Sequence, residues 1–245
     1  SRLNPAVRDI IAAVETDVDA QIAFTEFALS VHIPYPGFVD LDRASPEQRE
    51  RLFRIMEDYC RANVVPFSFF RDEELTRRCS KVQIDVITAG LDDMPDKALS
   101  LSYLANLLLV QGRLDMAIRR FEEALALDPG NVEIYSNLAA VLFTVKRYDE
   151  SLDTFRRAIE IKPENPQAHY NLGKALLNLG RYPGAADSLA ESLRLEPEND
   201  ITRIQLGAAL IRQGRLGDAV GVFEEGLRYD PDNTGLLGNL AIALS

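Results

Sequence analysis

Apolar and small residues in the C-terminal part of the chain recur at positions i, i+3, i+4 and i+7, the spacing of one helix face. The first set is Leu101, Leu104, Ala105 and Leu108. Equivalent sets follow at intervals of 34 residues: Tyr135, Leu138, Ala139 and Leu142; His169, Leu172, Gly173 and Leu176; Arg203, Leu206, Gly207 and Leu210. Each set contains an alanine or glycine, so a second helix can approach closely. The pattern predicts a series of tightly packed helices.

A further set of apolar and small positions lies between these faces and predicts a partner for each helix. Its members are Ala117, Phe121 and Ala124; Ser151, Phe155 and Ala158; Ala185, Leu189 and Ser192; Ala219, Phe223 and Gly226. Prolines also recur every 34 residues, at positions 95, 129, 163, 197 and 231. Proline ends a helix because it lacks the amide donor and clashes with the preceding turn. Each unit is therefore predicted to contain two helices and two turns.

The period and the order of small, aromatic and proline positions resemble the tetratricopeptide repeat (TPR) family. The resemblance covers residues 96–245, with four repeats starting near 98, 132, 166 and 200 and a truncated fifth from 234. It implies an all-α fold, a right-handed α-solenoid whose first helices line a concave groove and whose second helices form the convex back. The family's large aromatic at the fourth position is replaced by Leu101, His169 and Arg203. Arg203 predicts a looser helix pair in its repeat.

A second stripe on each first helix, at repeat positions 2, 6, 9 and 13, is polar or small and points away from the packing face. Side-chain amides recur on it, and an amide can both donate to and accept from an extended peptide backbone. The alternative is that these amides cap or bridge neighbouring helices. We place the groove centre in the third repeat. The candidate peptide-binding residues are Tyr103, Asn106, Asn137, Gln167, Tyr170, Asn171, Lys174, Asn178, Gln205, Arg212 and Asn239.

Two ligand modes of the family can be compared with this stripe. The subclass that grips the C-terminal carboxylate of chaperone tails uses lysine, arginine and asparagine at set positions, and only Asn106 and Asn137 match. A chaperone-tail clamp is therefore not expected. Asparagine at the sixth position is instead similar to the asparagine ladder of the O-GlcNAc transferase superhelix, which binds extended protein substrates. Gln205 and Tyr103 depart from that ladder.

Residues 1–95 lack the 34-residue period and are predicted to form a helical N-terminal subdomain that caps the solenoid. We expect helices from Pro5 to about Ser30, from Pro46 with Ser45 as N-cap, and through residues 72–90. The aromatic residues here are expected to form this subdomain's core, and a docking patch is the alternative; they include Phe24, Phe27, Tyr35, Phe38, Phe67, Phe69 and Phe70.

Composition narrows the function classes. The net charge of −11 argues against nucleic acid or an anionic membrane as the main partner, and no apolar run approaches a membrane span. Cys60 and Cys79 have no metal-ligand spacing and are expected to be free thiols in a reducing compartment, which favours a cytoplasmic location. We find no catalytic, cofactor or metal motif. His32 and His169 have no identifiable catalytic partners.

The leading hypothesis is a non-catalytic interaction module that binds an extended peptide or protein segment in the groove. The alternative is the substrate-recruiting arm of a larger enzyme, such as an O-GlcNAc-transferase-like protein or flagellin glycosyltransferase. In that case a catalytic domain would follow residue 245, because the chain ends within a helical pattern and reads as a fragment. A third hypothesis is a homo-oligomer assembled through the N-terminal subdomain or the solenoid ends.

Overall fold

The computed structural model describes residues 18–19, 21–22, 44–62 and 72–244. These residues form helices and turns, with no strand among them. The helices are α1 Pro46–Ala62, α2 Glu73–Gly90, a 3-10 turn Leu91–Asp93, α3 Lys97–Val110, α4 Leu114–Leu127, α5 Val132–Thr144, α6 Tyr148–Ile161, α7 Pro166–Asn178, α8 Tyr182–Leu195, α9 Asp200–Arg212, α10 Leu216–Tyr229 and α11 Thr234–Leu244. The chain divides into two compact units, Ser1–Ala117 and Ile118–Ser245.

Helix α1 of the first unit carries reciprocal caps at its N-terminus. The Ser45 side chain accepts from the Gln48 amide at 3.2 Å, and the Gln48 side chain accepts from the Ser45 amide at 2.9 Å. Asp72 caps α2 in a similar way by accepting from the Leu75 amide at 2.8 Å. These caps satisfy amide groups that have no partner inside the helix. The predicted starts of both helices are confirmed, whereas the predicted helix from Pro5 lies almost entirely outside the described residues.

Helices α1 and α2 pack together around an apolar core that contains both cysteines of the chain. Cys60 and Cys79 are buried free thiols. The neighbouring Cys60 thiol and burial together raise the pKa of Cys79. Both effects disfavour the thiolate, which is the reactive form of cysteine. These residues therefore act as small core side chains. Four of the aromatic residues quoted above precede residue 44 and three lie within 63–70, outside the described residues.

The second unit is an α-solenoid in which every helix from α5 to α11 contacts the next one in the chain. First helices of successive repeats also contact each other: α5 with α7, α7 with α9, and α9 with α11. A continuous core runs through these repeats and is centred on Phe155, Leu189 and Phe223. Each repeat therefore buries its apolar face against its neighbours, which is the packing of repeat proteins.

Asparagine caps start the first helix of each repeat in this unit. Asn131, Asn165, Asn199 and Asn233 each accept a hydrogen bond from the backbone amide three residues later, at 3.0–3.3 Å. Asparagine is among the best N-cap residues, and replacing such a cap by alanine costs about 1 kcal/mol. The asparagines that follow each proline turn therefore fix where each repeat begins.

The turn inside each repeat requires a left-handed backbone at one position. Gly180 and Gly214 have φ of 71° and 75° there, and Gly112 in the first unit has φ of 69°. The equivalent residue of the second repeat is Lys146, whose φ is 65°. Glycine adopts this conformation without a steric penalty, whereas a residue with a Cβ atom does so at a cost. Lys146 is therefore a strained position.

We predict that Lys146→Gly stabilises the protein. Removing the Cβ atom relieves about 1–2 kcal/mol of left-handed strain, and the extra freedom of glycine in the unfolded chain offsets roughly half of this. The net gain should be about 0.5–1 kcal/mol, measured from the midpoint of urea unfolding. The converse change, Gly180→Lys, should lower the midpoint, and a lower midpoint for Lys146→Gly would contradict the prediction.

The first and second helices of a repeat approach most closely where glycine faces a large side chain. A Cβ atom added to Gly173 would lie 2.6 Å from Cγ of Leu189, and one added to Gly207 would overlap the ring of Phe223. Ala139 occupies the equivalent position in the second repeat and belongs to the same core as Phe155. The small residues identified in the sequence thus set the separation between paired helices.

We predict that Gly207→Ala destabilises the protein by about 1–3 kcal/mol, because a core that is already close-packed must shift to admit the methyl group. Gly221→Ala is the matched control. Gly221 lies in α10, and a Cβ added there would meet no described atom within 4 Å apart from its chain neighbours and the backbone of its own helix. Its replacement should be neutral or stabilising by up to about 1 kcal/mol, since alanine favours helix. Equal changes in melting temperature for the two variants would contradict the assignment.

Arg203, at the position where the sequence predicts a looser helix pair, is fully buried. Its guanidinium donates to the carbonyl oxygen of Pro197 and lies over the ring of Tyr229, 5.6 Å from the centroid. Space for it comes from Gly226, where an added Cβ would lie 2.7 Å from Nε of Arg203. His169 makes the corresponding bond to the Pro163 carbonyl at 2.8 Å. Polar residues at this position thus anchor the proline turn that precedes their helix.

Candidate functional site

The candidate amides of the second unit lie on the first helices, opposite the packing face. Each first helix contacts the first helix of the next repeat, in the order α5, α7, α9 and α11. Equivalent positions of these helices therefore lie side by side. We call this surface the ladder face; its sixth-position amides are Asn137, Asn171, Gln205 and Asn239. All four side chains are partly exposed, whereas the residues that follow each of the first three are buried leucines. The ladder face is therefore open to solvent along one side of the unit.

Two of these amides have no partner within the described part of the chain. The side chains of Asn137 and Gln205 make no hydrogen bond to any residue that the structure describes. Each is followed one turn later by an alanine, Ala140 or Ala208, which is too small to cover it. Their donors and acceptors are therefore available to a ligand or to water.

The other two amides are partly engaged, and each bond stays within its own helix. Gln167 donates to Oδ1 of Asn171 at 2.9 Å, and the NH₂ group of Asn171 has no partner among the described residues. Asn239 donates to the Gly235 carbonyl at 2.8 Å, which leaves its oxygen as an acceptor. Neither amide bridges to a neighbouring helix in these bonds. The four positions thus offer both donors and acceptors.

Two cations complete the predicted set in the second unit. Lys174 is exposed, with Nζ 5.9 Å from the centroid of the half-buried Tyr170 ring. Arg212 is exposed and, like Lys174, makes no ion pair with any described residue. Asn178 is also exposed and lies one turn beyond Lys174 on α7. The third repeat therefore combines an aromatic ring, a cation and the three amides of Gln167, Asn171 and Asn178.

The two candidate peptide-binding residues in the first unit, Tyr103 and Asn106, differ in their hydrogen bonding. Tyr103 donates its hydroxyl to Oε1 of Gln83 on α2 at 2.6 Å, and burial raises the pKa of this tyrosine. Asn106 is half-buried and makes no hydrogen bond with a described residue. The Tyr103 hydroxyl is thus engaged within its own unit, whereas the Asn106 amide resembles Asn137 in its environment.

Apolar residues beside the ladder face were not among the predicted site residues. Phe143, Leu177 and Ile211 recur at 34-residue intervals, at position 12 of successive repeats. They are half-buried, as is Ile204, and pack against the core of the unit. Ile201, at position 2, is 65% exposed. Their recurrence is visible in the sequence, but an apolar residue on a helix is ordinarily interpreted as core.

Two further observations on the described part of the chain concern metal binding and membrane insertion. No group of three or more histidine, cysteine or acidic residues there could hold a metal ion. None of its helices is long and apolar enough to cross a membrane.

Comparisons with known proteins identify the repeats. Sequence models of the TPR match residues 105–145 and 146–180, and further models of the tetratricopeptide repeat match residues 166–199 and 201–225. TPR repeats are therefore confirmed over these residues, and the α-solenoid is built from them. A search of curated proteins gave no match.

Solved structures show the same fold. YrrB, described as a TPR protein with an unusual peptide-binding site, is 25% identical, with a TM-score of 0.54, and the match covers 65% of this chain and 82% of that chain. TTC0263, a thermophilic TPR protein from Thermus thermophilus, is 21% identical, with a TM-score of 0.51 and coverage of 68% and 91%. MamA from Desulfovibrio magneticus RS-1 is 18% identical, with a TM-score of 0.54 and coverage of 75% and 96%.

We predict that Tyr103→Phe destabilises the protein without any ligand present. Gln83 is only 2% exposed and its Nε2 already has no hydrogen-bond partner among the described residues, so losing the tyrosine donor leaves its oxygen unpaired as well. Such a buried unpaired group costs about 1–3 kcal/mol, which thermal unfolding would detect. The double variant Tyr103→Phe with Gln83→Met should recover most of the loss. An unchanged melting temperature for Tyr103→Phe would show that the bond contributes nothing.

Proposed function

We propose that this chain is a protein–protein interaction module whose ladder face binds a peptide or protein segment in extended conformation. The observation that carries the proposal is the environment of Asn137 and Gln205, which have no hydrogen-bond partner among the described residues on an open helix face. Exposure to solvent alone does not explain an amide at these helix positions, because lysine and glutamate are also polar and favour helix more strongly than asparagine. Recurrent amides indicate selection for paired donors and acceptors.

Spacing supports an extended ligand. Packed helices lie about 8–10 Å apart, so equivalent amides of successive first helices should be on the order of 10 Å apart. An extended chain rises about 3.3 Å per residue. One amide per repeat would then meet roughly every third peptide group. Contacts of this kind recognise the backbone, and specificity would come from flanking residues such as Tyr170 and Lys174.

The alternative structural role, in which the amides bridge neighbouring helices, finds no support in the hydrogen bonds. Asn171 and Asn239 bond only within their own helices, in the bonds described above. Asn137 and Gln205 bond to no described residue. A peptide-binding role also agrees with the similarity to YrrB, for which a peptide-binding site is described.

The comparisons give no support to the hypothesis of a substrate-recruiting arm of a glycosyltransferase. The likeness of the amides to the ladder of the O-GlcNAc transferase superhelix stays a prediction. Assembly of a homo-oligomer through the N-terminal subdomain or the solenoid ends also stays a prediction.

We predict that Asn137→Ala with Asn171→Ala weakens peptide binding by about 30-fold, because two hydrogen bonds of about 1 kcal/mol each are lost. The peptides would be selected on the wild-type protein from a random display library of about 12 residues, long enough to span several repeats at about 3.3 Å per residue. Their dissociation constants would be measured by fluorescence anisotropy. Helicity and melting temperature should stay equal or rise slightly, because alanine favours helix over asparagine.

Two controls make this measurement specific. Asn137→Gln with Asn171→Gln retains the amide that Gln205 carries at the same repeat position, and should recover much of the affinity. Asp187→Ala with Glu224→Ala removes exposed polar groups from second helices and should leave the dissociation constants unchanged. If the alanine pair lowered the melting temperature by several degrees while binding stayed intact, the amides would be structural and the proposal wrong.

A further inference from the structure

Most arginines of the second unit are neutralised by acidic residues of the same turn. Seven pairs join residues three apart along the chain; Arg203–Asp200 lies on the first helix α9, and the others lie at or within second helices: Arg120–Glu123, Arg147–Glu150, Arg156–Asp153, Arg157–Glu160, Arg194–Glu191 and Arg215–Asp218. Such pairs cancel charge locally and leave little field for a distant partner. The cations of the unit that make no ion pair with a described residue are Arg119, Lys146, Lys162, Lys174, Arg212 and Arg228, and of these Lys174 and Arg212 lie at ladder positions.

Lys174 and Arg212 are both exposed on the ladder face. Neither makes an ion pair with a described residue. The ladder positions 2, 6, 9 and 13 of α7 and α9 contain no acidic residue, and the one acidic residue at these positions elsewhere in the unit is Glu133 on α5. In a chain with a net charge of −11, this part of the ladder face is locally cationic.

Register brings the two cations to the same end of the ladder face. Arg212 occupies the position on α9 that Asn178 occupies on α7, and these two helices contact each other. Lys174 precedes Asn178 by one turn, and its Nζ lies 5.9 Å from the centroid of the Tyr170 ring. Lys174 therefore lies one turn from both Asn171 and Asn178, and Arg212 lies at the equivalent of Asn178 on the neighbouring helix, on the same face as Gln205.

We propose that the segment bound by the ladder face is acidic. Its side-chain carboxylates pair with Lys174 and Arg212 while its backbone pairs with the ladder amides. The inference rests on the proposed function, which it deepens by naming the chemical class of the partner. Complementary charge also speeds encounter and excludes basic segments, so it adds selectivity as well as affinity.

Charge reversal tests the proposal directly. The same random peptide library, displayed so that the peptide C-terminus is not free, would be selected on the wild type and on Lys174→Glu with Arg212→Glu. The wild type should enrich aspartate and glutamate, and the reversed variant should enrich lysine and arginine. The matched control is Lys162→Glu with Arg228→Glu, which changes the net charge equally at exposed positions away from the ladder face. Its peptides should be acidic, as for the wild type.

Affinity measurements then show whether the carboxylates that bind belong to side chains of the peptide or to its C-terminus. Selected peptides would be synthesised with an amidated and with a free C-terminus, and the amidated form should bind equally well. Reversal should weaken binding of an acidic peptide by about tenfold or more in low salt, with a smaller loss in high salt because salt screens exposed charges. Lys174→Gln with Arg212→Gln should fall between wild type and reversal, and circular dichroism would verify that each variant is folded.

The outcomes distinguish this inference from the proposed function. Peptides that need Asn137 and Asn171 but show no acidic enrichment would overturn the inference and leave the proposed function standing. Acidic enrichment that persists on the reversed variant, or binding that requires a free C-terminus, would also overturn it. Failure to select any peptide on the folded wild type would count against the proposed function itself.

Discussion

Contact between a small residue on the first helix of a repeat and a large residue on the second is the constraint on which the second unit depends. Gly173 faces Leu189 and Gly207 faces Phe223 so closely that neither glycine leaves room for a methyl group. Interiors packed to this density transmit any change in volume to their neighbours. The contact fixes the separation and rotation of each helix pair, and therefore determines which side of the first helix is left outside.

The side left outside is where polar chemistry can be placed at little cost to stability. Buried polar groups require partners inside the protein. Arg203 has the Pro197 carbonyl, the Tyr229 ring and, at 3.7 and 3.8 Å, the carboxylates of Asp200 and Glu225. Asn137 and Gln205 need no such partner, because they are partly exposed on the ladder face. The repeat architecture therefore separates the residues that hold helices together from those that remain available for binding.

The charged residues of the second unit also differ between the second helices and the ladder face of the first helices. Charges at or within the second helices are mostly paired within one turn, whereas Lys174 and Arg212 on the first helices make no ion pair with a described residue. Exposed pairs contribute little to stability, about 0.2–1 kcal/mol each. Their pairing matters more for the field around the molecule, and on the ladder face Lys174 and Arg212 stay available to an incoming carboxylate.

The sequence by itself determined the helix pairs, the small packing positions and the stripe that carries the amides. All of these depend on interactions within a few residues, or on the angle between successive residues of a helix, so a 34-residue period suffices to identify them. The tertiary structure alone decided which polar groups are engaged. Tyr103 bonds to Gln83 on another helix, and Arg203 fits because Gly226 lacks a side chain. These contacts join residues far apart along the chain, and they depend on the separation of packed helices, which no local pattern specifies.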